Sequence, residues 1–211
     1  MKRKEEAYLQ TWYEKPHRKP LIIRGARQVG KSTLVRMFCE NNGLKLLEVN
    51  LEQNQHTKKL FSSNDPKKIL QTLEILYNTK ITLDTSILFL DEIQANPEAI
   101  AALRYFHEQI PELALIAAGS LLEFALEKHQ ISMPVGRIEY LFMGPMVFEE
   151  FLMAMGESQL LAYLQTFELG NSIPQAIHEH ALELLKTYYL LGGMPEVIHI
   201  YKNTGSLLEA D

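Results

Sequence analysis

Gly25-Ala26-Arg27-Gln28-Val29-Gly30-Lys31-Ser32 decides the reading of this 211-residue chain. It fits the pattern Gly, any four residues, Gly-Lys, then Ser or Thr, at every specified position. Each type has a physical reason. The two glycines permit backbone angles that a side chain forbids, so successive N–H groups can turn inward around a phosphate. The helix that opens behind the loop adds partial positive charge at its N-terminus. Lys31 brings a full charge to the β- and γ-phosphates, and the Ser32 hydroxyl is the expected Mg²⁺ ligand. Residues 25–32, with Thr33 in the first helical turn, are the candidate nucleotide contacts.

The flanks supply the context this loop requires. Leu21-Ile22-Ile23 leads into it, and Leu34, Val35 and Phe38 share one face of the helix behind it. That helix is expected to stop at Asn41-Asn42-Gly43. Three further short apolar runs follow: Leu44 to Val49, Ile87 to Leu90, and Leu113 to Ala118. Short runs that mostly lack alternation, separated by helical stretches, are the pattern of parallel strands covered on both faces. Pro97 to Gln109 reads as a crossover helix and Ile138 to Met143 as a fifth strand. Beyond Pro145, apolar residues recur at helical spacing (Phe148, Phe151 and Leu152; Ile177, Ala181, Leu184, Leu185 and Tyr188). The expectation is an α/β core over 1–145 and an all-helical lid over 146–211.

The third run ends in Asp91-Glu92. An aspartate at the C-terminal edge of a strand can hold Mg²⁺ opposite the Ser32 hydroxyl. The next carboxylate, Glu92, can orient and deprotonate the water that attacks a γ-phosphate.

Together, GARQVGKST (25–33), FLDEIQ (89–94), AAGS (117–120), PVGR (134–137) and GGMPEV (192–197) resemble, in this order, prokaryotic AAA-type ATPases with a C-terminal domain of unknown function. The resemblance runs from about Tyr8 to Val197. It implies five parallel strands in spatial order 5-1-4-3-2 with a helical lid, and a C-terminal domain in relatives that would follow residue 211. It also implies ATP and Mg²⁺ as ligands.

Three more positions take roles from this resemblance. Ser120 ends the fourth strand, where such proteins keep a polar sensor whose hydroxyl could hold the attacking water; it could equally cap a following helix, with Glu123 three residues on. Arg137 stands where an arginine reaches the nucleotide of an adjacent subunit, a contact that speeds hydrolysis by roughly 10³–10⁵; a structural ion pair is the competing reading. Pro195, in Gly192-Gly193-Met194-Pro195, stands where a lid proline packs near adenine, or it simply starts a new helix. One departure from the family pattern matters. From Pro145 onward the only lysines and arginines are Lys186 and Lys202, so no lid arginine is available to sense the nucleotide.

His178 and His180, two apart on a helix, point in different directions. His56, His107 and His129 lack ligand-spaced neighbours, so no zinc site is expected. Cys39 reads as a small buried residue and the methionines at 143, 146, 153 and 155 as core filling. The single cysteine, the absence of a signal-like segment and the lack of a bilayer-length apolar run suggest a cytoplasmic protein that does not span a membrane. A net charge of −5 argues against a broadly basic nucleic-acid binder. Two readings therefore stand: Mg²⁺-dependent ATP hydrolysis that switches or remodels a partner, and a nucleotide-gated interaction module with negligible turnover. Partners beyond ATP and ADP, whether a second copy, a protein or DNA, are not specified by the sequence.

Overall fold

A computed structural model describes residues 1–54, 57–120, 122, 136–168 and 170–209. The chain divides into two units, Glu5–Met143 and Met1–Lys4 with Gly144–Asp211, and passes between them twice.

The larger unit is built on a five-stranded, all-parallel sheet. In chain order the strands are β1 (Leu21–Arg24), β2 (Lys45–Asn50), β3 (Ser86–Asp91), β4 (Ala114–Gly119) and β5 (Glu139–Phe142). Their spatial order is β2-β3-β4-β1-β5, the expected 5-1-4-3-2 read from the other edge. β3 and β4 are buried at every residue, which is why their sequences are unbroken apolar runs. β2, on one edge, alternates between buried and part-exposed positions. Register fixes the geometry of the strand ends: Leu21 stands beside Ile116 and Glu139, and Arg24 beside Gly119 and Phe142.

Helices α1 (Glu5–Tyr13), α2 (Lys31–Asn41), α3 (Lys58–Phe61), α4 (Pro66–Leu76) and α5 (Pro97–Gln109) accompany the sheet. Leu34, Val35, Phe38 and Cys39 of α2 are buried. Burial alone raises the Cys39 thiol pKa to about 11, so the group is an inert packing element. The α2 helix ends at Asn41 with Gly43 at a φ of 63°, the left-handed turn for which glycine is suited. Both α4 and α5 start with proline behind a capping side chain, Asp65 and Asn96 respectively. Helix α1 was not anticipated from the sequence. It buries Leu9 and Trp12, and Trp12 Nε1 donates to the Lys19 carbonyl at 2.8 Å. Among the described residues, no helix is long and apolar enough to cross a membrane.

The smaller unit contains α6 (Phe148–Met155), α7 (Ser158–Gln165), α8 (Gln175–Leu191) and α9 (Pro195–Thr204). They share a core that includes Met146, Phe151, Leu152, Leu160 and Ile198. The methionines divide: Met143 and Met146 are buried, whereas Met153 is exposed. The N-terminal arm is tied into this unit through a buried carboxylate. Glu150 accepts from Arg3 Nε and the Lys4 amide, each at 2.9 Å, and from the Val147 amide at 3.0 Å; Arg3 Nη2 reaches the Gly144 carbonyl at 2.8 Å. Burial pushes the Glu150 carboxyl pKa up, but these three donors outweigh it and hold the group below the usual carboxylate range. Removing either partner of such a buried pair costs on the order of 3 kcal/mol, because the other charge is left desolvated and unpaired.

Candidate active site

The phosphate-loop motif lies between β1 and α2, and its shape follows from close approach. A Cβ on Gly25 would stand 2.0 Å from the Met143 carbonyl oxygen, so no other residue fits against that backbone. Gln28 and Gly30 both take positive φ, 63° and 93°. Val29 between them is fully buried and anchors the loop, while Ala26, Arg27 and Gln28 are exposed. Gly30 forms the N-cap of α2 with no side chain capping the helix. The first amides of α2, at Lys31, Ser32 and Thr33, are thus left to an incoming anion.

Lys31 is buried to 7% exposure, and its ammonium is folded back on the loop. Nζ donates to the Gly25 carbonyl at 3.0 Å and the Ala26 carbonyl at 2.7 Å. Burial lowers its pKa, an effect that Glu92 and Asp91 partly offset. Ser32 Oγ donates to Asp91 Oδ2 at 2.8 Å, tying the first turn of α2 to the end of β3. Burial raises the Asp91 pKa, against the Ser32 hydroxyl and the Glu92 amide, which stabilise the anion. A hydroxyl and a carboxylate in contact are hard oxygen donors of the kind Mg²⁺ takes, with phosphate oxygens and water completing its shell. The residues present therefore fit the ion.

Glu92 is half-buried and adopts φ 52°, ψ 47°, a left-handed conformation that costs a side-chain-bearing residue about 1–2 kcal/mol. This turn swings it out of the strand direction, and its Oε2 accepts from Gln94 Nε2. Ser120 follows β4 directly; it is buried, and its hydroxyl has no hydrogen-bond partner among the described residues. The competing reading of Ser120 as a helix cap rests on residues 121 and 123, which lie outside the described residues, as do His56 and His129.

The structure brings Gly25 to Thr33, Asp91, Glu92 and Ser120 to the same end of the sheet, at the C-terminal edges of β1, β3 and β4. It does not bring Arg137 there. Arg137 precedes β5, whose first residue pairs with Leu21 at the opposite end of β1. At about 3.3 Å per residue, a strand's length separates it from its own phosphate loop. Its Nε contacts Glu108 Oε1 at 3.2 Å, and Arg104 shares that carboxylate at 3.0 Å. Pro195 is the first residue of α9, behind Gly192, whose φ of 71° ends α8. Gly193 beside it packs on the Met146 backbone, and its carbonyl accepts from the Met146 amide at 2.7 Å.

The desolvation of Asp91 has a measurable consequence. A carboxyl whose pKa is raised by folding destabilises the folded chain above that pKa, and the cost disappears below the ordinary carboxylate value. Nucleotide-free Asp91→Asn is therefore expected to melt no lower than the parent at pH 7–8. Any advantage should shrink as pH falls towards 4, where the parent's Asp91 is protonated. Thermal unfolding across pH checks this; a variant that melts well below the parent at neutral pH would contradict it.

These features define a P-loop α/β protein of the AAA type. A family profile described as "AAA domain" matches residues 17–152, and the chain belongs to that family. No curated protein is similar to it in sequence at a significant level. Among solved structures, Drosophila ORC bound to DNA matches with a TM-score of 0.51 at 15% identity, over 95% of this chain and 60% of that one. Aeropyrum pernix ORC2, in ADPNP-ADP complexes, gives 0.47 at 18% identity over 76% and 53%. C. elegans PCH-2 gives 0.45 at 16% over 89% and 56%. Such identities speak to the fold alone, and the chain spans little more than half the length of these structures.

Proposed function

We propose that this chain binds ATP with Mg²⁺ and hydrolyses it, the larger unit acting as the ATPase core and the smaller helical unit responding as a mobile lid. The observation that carries the reading is the Ser32–Asp91 contact at 2.8 Å, set between the uncapped end of α2 and Glu92. In this reading the amides of residues 26–33 and the Lys31 ammonium hold the phosphates, while Ser32 and Asp91 hold the Mg²⁺, which neutralises phosphate charge. Glu92 takes a proton from a water positioned with the help of Ser120. The water oxygen bonds to the γ-phosphorus as the bond to the bridging oxygen breaks, giving ADP and phosphate. Lys31 leaves the Gly25 and Ala26 carbonyls to meet its ligand. Pro195 lies against the adenine once nucleotide is bound.

The second reading is a slow nucleotide switch that acts on a protein or DNA partner. It is favoured by the lack of any arginine after Pro145. Arg137 is proposed to act in trans, since it is far from its own loop and its partner Glu108 is a surface carboxylate. Steady-state phosphate release with Mg²⁺, measured across protein concentration, tests both readings. Release per chain that rises with concentration, and loses that rise in Arg137→Ala, is the expected result. Tight binding without release above a Lys31→Ala control would leave the switch. The cytoplasm is the proposed location.

A further inference from the structure

We propose that Gln94 is a positioning residue for Glu92: its amide nitrogen holds that carboxylate in the orientation from which it activates the attacking water. This inference rests on the hydrolysis reading above. Gln94 lies on the single 3₁₀ turn Ile93–Ala95 that follows β3, and its Nε2 donates to Glu92 Oε2. An ionised carboxylate offers about four acceptor sites, so one donor fixes its orientation and leaves it free to take a proton.

The other end of the same amide is the more informative one. Among the described residues, Gln94 Oε1 is buried and has no hydrogen-bond partner, and the same holds for Ser120 Oγ, on a residue exposed to 1%. Orphaned polar atoms of this kind are uncommon in folded proteins and mark places where a water, an ion or a reactant belongs. Gly119 lies against the Gln94 oxygen. A Cβ on Gly119 would stand 2.5 Å from Gln94 Oε1, so the carbonyl lies directly over the residue that precedes Ser120. Gly119 has no need of positive φ; it is glycine because the amide occupies the space a methyl group would take.

The proton released on attack goes to Glu92, and the Gln94 amide exchanges none.

The test compares Gln94→Leu, which removes both ends of the amide, with Gln94→Glu, which keeps the shape but removes the donor. Both are expected to lower kcat about ten- to a hundredfold, the scale of a misplaced reacting group, with KM nearly unchanged; Gln94→Leu should melt close to the parent, whereas Gln94→Glu, which sets a second carboxylate against Glu92, should melt lower at neutral pH. In a Glu92→Gln background neither should lower turnover further, because Gln94 acts through Glu92. Gly119→Ala should reproduce the loss by displacing the carbonyl; it also presses on Leu122 Cδ1 at 2.6 Å, so its melting temperature is read alongside. An unchanged kcat in Gln94→Leu, or a loss that persists undiminished without Glu92, overturns the proposal. Should the parent chain release no phosphate, the hydrolysis reading fails separately. The Gln94 contact is then judged by NMR of its side-chain amide: a resonance that moves in Glu92→Ala supports the hold, and one that stays overturns it.

Discussion

Glu92→Gln is expected to lower phosphate release by about 10²–10⁴, the usual contribution of a general base, and to leave nucleotide affinity close to that of the parent. Glutamine keeps the length and the oxygen that accepts from Gln94 Nε2, so the local packing survives. What it loses is the ability to take a proton. The Glu92 charge partly offsets the burial of Lys31, so its loss should change binding only modestly. Single-turnover release set beside a fluorescent-nucleotide titration separates the two effects. Hydrolysis at the parental rate would remove Glu92 from its assigned role. Equal losses in binding and turnover would instead mean that the substitution disturbs the turn at residues 92–95.

Lys31→Ala is expected to weaken nucleotide binding about 10- to 100-fold and to reduce phosphate release to background. A charge-assisted contact to phosphate contributes about 1.5–3 kcal/mol, and tenfold in affinity corresponds to about 1.4 kcal/mol. The nucleotide-free chain should tolerate the change, because burial already disfavours the Lys31 ammonium where it rests on the Gly25 and Ala26 carbonyls. Calorimetric titration of ATP with Mg²⁺ measures the first effect and thermal unfolding the second. Affinity within about threefold of the parent would mean that the backbone amides alone carry the phosphates.

The parallel sheet was legible because β1, β3 and β4 are covered on both faces and read as apolar runs; its strand order came from the family resemblance and agrees with the order observed. Helix α5 was legible to the residue, since Asn96 and Pro97 mark its start. Helix α1 was not: among its nine residues only Leu9 and Trp12 are buried apolar groups, too few for a periodic signal. The place of Arg3 was equally hidden, because an arginine among terminal charges looks solvated. Glu150, an acid set between Phe148 and Phe151, was the available clue that a buried cation would come to meet it. At the candidate site, the loop, Asp91 and Glu92 could be read from motif and spacing. Gln94 could not, since its meaning depends on the absent side chain of Gly119, which is adjacent only in three dimensions.

The position of β1 between β4 and β5 also sets a timetable. Each of its pairings joins residues roughly a hundred positions apart, and contacts of such long range form slowly because the intervening chain must first be closed. During synthesis the phosphate loop is made early, yet the strand that carries it has no neighbour until β4 emerges, and only one until β5 does. Gly25 likewise awaits Met143 before its surroundings exist. Nascent chains that end before Met143 should not bind nucleotide, and Arg3 waits for Glu150, 147 residues further along the chain.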